Sequence, residues 1–195
     1  MLLKPLPSSF YKKDPSKVAK NILGKILIRR IGKEKLSGKI VETEAYYGIS
    51  DPASRAVGGK ITKLNKWMWC ESGTIFVYMV HGNWLFNIIT GKENLPQGIL
   101  IRALEPIDGL DFMFKNRQTN KIENLTSGPG KLTQAFGITS MHNGMNVTNK
   151  SSEIIVVEGG NEDFEILSSH RIGVKKDLNR KLRFYIKNNR FVSRK

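Results

Sequence analysis

Two carboxylates spaced two residues apart are the first feature that could do chemistry. In Ile40-Val41-Glu42-Thr43-Glu44-Ala45-Tyr46 the residue types suit a strand. An extended chain puts Ile40, Glu42, Glu44 and Tyr46 on one face and Val41, Thr43 and Ala45 on the other. A carboxylate next to a pocket can act as a general base on water. The same spacing also fits a solvated edge face whose carboxylates pair with lysines. Spacing alone leaves both readings open.

A second feature is Ile99-Leu100-Ile101-Arg102-Ala103-Leu104-Glu105-Pro106. Arg102 interrupts an apolar strand. A buried guanidinium is costly unless a carboxylate or an anion pairs with it. Its partner is expected to be Glu105 or Glu44, either as a structural ion pair or as the means of orienting a catalytic carboxylate. A third is Phe76 to Asn87, where His81-Gly82-Asn83 reads as a tight turn between two apolar strands. Aromatics on such a hairpin fill a core, stack on bases or wedge into a groove. A fourth is Ser127-Gly128-Pro129-Gly130-Lys131, a Gly-rich turn entering a helix. Its free amides and lysine suit an anion, and equally an ordinary helix start.

The elements that must position these residues are legible in outline. Asp14 is the expected N-cap of a helix with Pro15 at its first position, an apolar stripe of Val18, Ile22 and Leu23, and Gly24 at its close. Strands are expected at residues 26–28, 39–46, 74–80, 85–90 and 98–104, and later at 153–158, 166–171 and 182–187. Helices are expected at about Pro106 to Asn116 and Pro129 to Phe136. Strands outnumber helices and connections are short. The fold class is therefore α+β, mostly antiparallel, in one domain over 1–195. No GxGxxG or P-loop pattern points to a nucleotide cofactor.

Composition narrows the partners. The chain has 32 Lys+Arg against 17 Asp+Glu and a formal net charge of +15. Hydrophobic residues make up 39%, too many for a disordered chain and too few for a membrane bundle. The longest apolar run, Ile75 to Val80, cannot span a bilayer. The N-terminal Met1-Leu2-Leu3-Lys4-Pro5 has no apolar core of signal-peptide length. One cysteine, Cys70, makes no internal disulfide, which suits a reducing compartment, and with three scattered histidines it makes no dedicated zinc site. A polyanion would relieve the self-repulsion. Nucleic acid leads, an anionic membrane surface comes second, and a generally basic proteome is the bland alternative.

Taken in order, these segments resemble the alkyladenine (3-methyladenine) DNA glycosylase family. The resemblance runs from Leu23 to about Ser193 and rests on Val41-Glu42-Thr43-Glu44-Ala45-Tyr46, Asp51-x-Ala53, Phe76-Val77-Tyr78, Arg102-Ala103-Leu104-Glu105-Pro106, Ser127-Gly128-Pro129-x-Lys131-Leu132 and Leu182-Arg183-Phe184-Tyr185. It implies a mostly antiparallel curved sheet with flanking helices and a protruding β-hairpin that wedges into duplex DNA. It implies base flipping, at an unstacking cost of a few kcal/mol, then hydrolysis of the N-glycosidic bond of alkylated or deaminated purines, such as 3-methyladenine and hypoxanthine. An abasic site is left. It implies no metal and no other cofactor, double-stranded DNA containing a damaged purine as partner, no membrane, a monomer, and a nucleoid-associated cytoplasmic or nuclear location.

Carried over by residue, the resemblance makes Glu44 the general base, Arg102 a holder of water and carboxylate, and the Ile172 carbonyl a third water ligand. Tyr46 and Tyr78 become walls of the base pocket, Asn87 the side chain that crowds the 2-amino group of guanine, and Lys60 and Thr62 phosphate contacts. Three departures stand out. Arg55 occupies a pocket position that is usually histidine, which points toward neutral lesions such as hypoxanthine. His81 occupies the wedge position that is usually tyrosine. One residue is missing between Gly82 and Asn87, and Leu64 stands where a basic residue is common. Two other readings remain at this point: a lyase acting through a lysine Schiff base, and a non-catalytic lesion- or structure-specific DNA-binding protein.

Overall fold

The computed structural model describes residues 4–194. Met1 to Leu3, part of the N-terminal stretch read above, and Lys195 lie outside the described residues. Two short helices, α1 (Ser8–Tyr11) and α2 (Pro15–Asn21), come first. The strands follow as β1 (Ile26–Ile31), β2 (Glu34–Tyr46), β3 (Ile75–Val80), β4 (Asn83–Thr90) and β5 (Gln97–Asp108). Next come α3 (Leu110–Arg117), α4 (Pro129–Phe136), β6 (Ile154–Val157), β7 (Ile166–Ser169) and β8 (Arg183–Ile186).

The strands form one sheet in the order β3-β4-β5-β2-β1-β6, with β8 added to β2 and β7 added to β8. Each named pairing is antiparallel. The α+β, mostly antiparallel reading holds. Strand β2 is the spine. One edge pairs with β5 over residues 37–46, while the other is shared between β1 at residues 34–39 and β8 at residues 42–44. A strand paired on both edges has no solvated edge to offer, so the edge-face reading of Glu42 and Glu44 fails.

Helix α2 starts as expected, with the Asp14 carboxylate accepting from the Ser16 and Lys17 amides at 2.9 and 3.3 Å. The core gathers Val18, Ile22, Leu36, Ile40, Val41, Phe86, Ile101, Leu132 and Phe136. The expected helix near Pro106 begins later, at Leu110. Pro106 belongs to β5, where it faces Gly38 beside a register shift, a place that tolerates a residue without an amide hydrogen. Gly109, at φ +79°, makes the turn into the helix. The hairpin between β3 and β4 is a two-residue turn. His81 and Gly82 both have positive φ, 47° and 75°, as the right-twisted two-residue turn requires. Among the described residues no helix is long and apolar enough to cross a membrane, and no cluster of His, Cys, Asp and Glu is arranged to hold a metal ion.

Candidate active site

The site forms where β2 and β5 depart from regular pairing. Glu42 faces Ala103, but the next residue, Thr43, faces Ile101. Arg102 is thus the extra residue of a bulge in β5, and a bulge re-aims its side chain. The guanidinium reaches across to the carboxylate face of β2. Nε donates to Glu42 Oε1 at 2.9 Å and Nη1 lies 3.2 Å from Glu44 Oε1. Glu44 is therefore one of its partners. Glu105 is not: it pairs with Lys39 at 3.1 Å and accepts from Asn189 at 2.8 Å.

Glu44 is wholly buried. Three donors converge on it. Besides Arg102, the Ile172 amide donates to Oε1 at 2.7 Å and the Tyr46 hydroxyl to Oε2 at 2.8 Å. The contact from Ile172 is through its N–H, where the sequence pointed to its carbonyl. Burial pushes the Glu44 pKa above the usual carboxylate range. Arg102, the Ile172 amide and the Tyr46 hydroxyl oppose that rise, and the Glu42 charge adds to it. Donors aimed at both oxygens are the environment of a carboxylate rather than a carboxylic acid.

Tyr46 continues from Glu44 to a cleft lined also by Ala53, Ser54, Arg55, Met68, Phe76, Tyr78, Asn87, Ile89 and Gly98. The structure thus brings Tyr46, Arg55, Tyr78 and Asn87 together. Glu44 stands one hydrogen bond behind the Tyr46 wall and does not itself line the cleft. The Asn87 side-chain amide donates to the Phe76 and Leu85 carbonyls at 3.2 and 3.1 Å, which fixes its rotamer. The cleft is narrow, about 20 Å³, and within its lining the Arg55 guanidinium lies over the Tyr78 ring at 4.7 Å from its centre. No lysine is among the lining residues.

Arg55 and Tyr78 also border a wider groove of about 650 Å³, with Lys60, Thr62, Lys63, Leu64, Trp67, Met79 and Trp84 around it. Lys60 and Thr62 are exposed there. The Thr62 amide and hydroxyl both donate to Asn65 Oδ1, so part of this residue is committed to the loop. His81 is exposed at the hairpin tip, apart from the buried group.

Sequence reasoning missed two sets of partners. The first is Arg171. Its guanidinium binds Asp51 through two bonds of 2.6 and 2.8 Å, contacts Asp177 at 2.5 and 2.9 Å, donates to the Ala45 carbonyl at 3.0 Å and lies 4.5 Å from the centre of the Tyr46 ring. Arg171 thus braces both the aromatic wall and the segment that carries the Ile172 amide. Burial alone would raise the Asp51 pKa, but Arg171 and the Tyr47 and Ala53 amides hold it below the usual range. The second set is Arg183 and Ser193, both bonded to Glu42. Apart from Asp177, six positions from Arg171, these partners lie more than a hundred positions apart and leave no spacing signal. The only hint was that Asp51, Arg171 and Arg183 sit inside segments already singled out.

Comparison with known proteins places the chain in a family. Residues 9–190 match the family described as Methylpurine-DNA glycosylase. A relative from Clostridium perfringens (strain SM101 / Type A), named "Putative 3-methyladenine DNA glycosylase", is 42% identical, with 97% of this chain and 99% of the relative covered. A relative of the same name from Clostridium novyi is 40% identical over 99% of this chain and all of its own length. A third, from Borreliella burgdorferi (strain ZS7), again of that name, is 41% identical, with 95% and 98% covered.

Proposed function

The chain belongs to the methylpurine-DNA glycosylase family, DNA-repair hydrolases of N-glycosyl bonds, and on that premise we propose that Glu44 activates the water that cleaves a flipped, damaged purine from duplex DNA. The observation that carries this reading is the convergence of Arg102, the Ile172 amide and the Tyr46 hydroxyl on one buried carboxylate directly behind an aromatic cleft. Three fixed donors hold Glu44 rigid, and its oxygens keep lone pairs to accept a hydrogen from water.

The reaction then balances simply. The bond between the sugar C1′ and the purine nitrogen breaks, and its electron pair leaves with the base. Positive charge develops on the sugar, where the nearby carboxylate stabilises it. Water adds to C1′ and gives its proton to Glu44. A cationic 3-methyladenine leaves as a neutral base. Hypoxanthine leaves well only when protonated.

Entry of the base requires Arg55 to leave the Tyr78 ring, because the purine needs that stacking face. The freed guanidinium then stacks on the base or moves to a phosphate of the bound strand. A guanidinium repels a cationic base, so Arg55 favours neutral lesions such as hypoxanthine. Lys60 and Thr62 hold the backbone, and His81 fills the gap left in the stack. The absence of lysine from the cleft lining favours simple hydrolysis over a Schiff-base lyase.

The test is cleavage of a hypoxanthine-containing duplex, read as strand breaks after alkali. Wild type is expected to cut, and Glu44→Gln to bind the same duplex without cutting. General-base loss is worth on the order of 10²- to 10⁴-fold. A Glu44→Gln variant that cuts at the wild-type rate refutes the assignment.

A further inference from the structure

We propose that Glu42 is a positioning residue for the Arg102–Glu44 pair, and that the C-terminal segment at Ser193 locks Glu42 in place and so completes the site. The proposal rests on the reading of Glu44 given above. Glu42 touches neither cleft and is wholly buried. Its Oε1 accepts from Arg102 Nε at 2.9 Å, Arg183 Nε at 2.7 Å and the Ser193 hydroxyl at 2.9 Å, and its Oε2 accepts from the Ser193 amide at 2.7 Å.

The geometry of Arg102 gives this hub its purpose. A guanidinium is planar and rigid. With Nε fixed by Glu42 and Nη1 against Glu44, the plane cannot turn without breaking one contact. Glu42 thus sets which edge of Arg102 faces Glu44. Two carboxylates, Glu42 and Glu44, are balanced by two guanidiniums, Arg102 and Arg183. Such buried ion groups rarely exceed well-packed apolar side chains in stability, so stability alone gives no reason for this one.

Ser193 comes from the far end of the chain. Phe191 and Val192, both buried, anchor the segment, and Arg183 donates from Nη2 to the Arg194 carbonyl. Burial alone would raise the Glu42 pKa, but Arg102, the Ser193 amide and Arg183 hold it below the usual range. Its negative charge in turn helps raise Glu44. The ionisable groups around Glu44 are Arg102, Tyr46 and Glu42, with Tyr78 and Arg171 beyond Tyr46.

Glu42→Gln separates positioning from packing. An amide of the same shape cannot satisfy this site. One orientation sets its NH₂ against the Ser193 amide, and the other sets it against Arg102 and Arg183. Single-turnover cleavage of the hypoxanthine duplex is expected to slow on the order of 10- to 100-fold, the scale of a small misplacement of reacting groups. Affinity for the duplex should stay within about twofold, since Glu42 lies off the DNA-binding surfaces. The acid limb of the rate profile should move to lower pH, because Glu44 loses a like-charged neighbour.

Ser193→Pro, in the full chain, removes both Ser193 donors, the amide hydrogen and the hydroxyl, and keeps Glu42 and Arg194. It should show a smaller loss of rate with unchanged affinity. An unchanged rate in folded Glu42→Gln overturns the positioning role. So does a slowed Glu42→Gln whose acid limb stays put, which would mark a structural defect only. Should Glu42→Gln fail to fold, full activity in Ser193→Pro overturns it. Glu44→Gln that still cuts brings down the Glu44 reading itself and is read separately.

Discussion

Arg171 gives the sharpest quantitative test, because removing it strands a charge. Arg171→Ala leaves the Asp51 carboxylate buried with only the Tyr47 and Ala53 amides, at 2.9 and 3.0 Å, and takes away both guanidinium bonds. Breaking a buried pair from one side costs about 3–5 kcal/mol. For a chain of this size, about 1 kcal/mol shifts Tm by roughly 2–4 °C, so a fall of about 6–20 °C is expected. The Asp51 pKa is depressed in the folded protein. Its stabilising contribution is therefore present above the unfolded value of about 3.9 and is lost as pH falls through the folded value. In Arg171→Ala, Asp51 titrates higher and is neutralised sooner on acidification. The Tm gap between wild type and variant should therefore be largest near pH 7 and narrow below about pH 4. Thermal unfolding followed by circular dichroism across that range checks this. The same variant should slow cleavage about tenfold or more, because the Tyr46 wall and the Ile172 amide lose their common brace. A Tm within about 2 °C of wild type at pH 7, or a gap independent of pH, refutes the reasoning.

The remaining predictions concern the reaction. The acid limb of single-turnover cleavage should lie above the ordinary carboxylate value of about 4.3, because burial raises Glu44, and the rate should fall as pH drops through it; a limb at or below that value speaks against Glu44 as the base. Arg55→His should raise excision of 3-methyladenine relative to hypoxanthine, on the order of tenfold if the charge conflict is worth about 1.4 kcal/mol, and an unchanged ratio refutes the selectivity argument. His81→Gly should lower the fluorescence of 2-aminopurine placed beside a lesion, because the flipped state loses its filler, and an unchanged signal refutes the wedge role.

The sequence made the scaffold legible wherever alternation and turn chemistry agreed. Asp14-Pro15 announced α2, His81-Gly82 announced the hairpin, and the split of Glu42, Glu44 and Tyr46 from Val41, Thr43 and Ala45 was the split that β2 adopts. Thr43, on the other face, donates to the Ala19 carbonyl of α2 at 2.8 Å. Legibility failed where pairing is irregular. Pro106 looked like the start of a helix because proline favours both a first helical turn and a strand irregularity. Strand β1 runs three residues further than its apolar run. Arg29, half-way along, is buried against the Phe136 and Gly137 carbonyls that end α4. The direction of Arg102 was equally hidden, since a bulge breaks the period-two rule on which face assignment depends. The paired arginines lay beyond reach for another reason: nothing local distinguishes a lysine-like surface arginine from Arg171 or Arg183 until the chain has closed around Glu42 and Asp51.

That division has a consequence for a protein of net charge +15. The arginines around Glu42, Glu44 and Asp51 are all neutralised inside: Arg102 by Glu42 and Glu44, Arg183 by Glu42, and Arg171 by Asp51 and Asp177. The surplus lies on exposed side chains such as Lys60 and Lys63 at the wider groove, and Arg55 has no carboxylate within 4.0 Å among the described residues. On the proposed reading of Glu44 as the base, affinity and chemistry rest on separate sets of cations. Counterions condensed on DNA are released by the exposed set, so replacing one of its phosphate contacts should reduce the salt slope of binding by about one and leave the bond-breaking rate constant of bound complex alone. The buried set is screened little by salt and meets no phosphate, so changes there should lower the rate constant and leave the slope unaltered. Arg55 belongs with the exposed cations although it stacks on a pocket wall, so replacing it should change both the salt slope of binding and the rate constant of the bound complex.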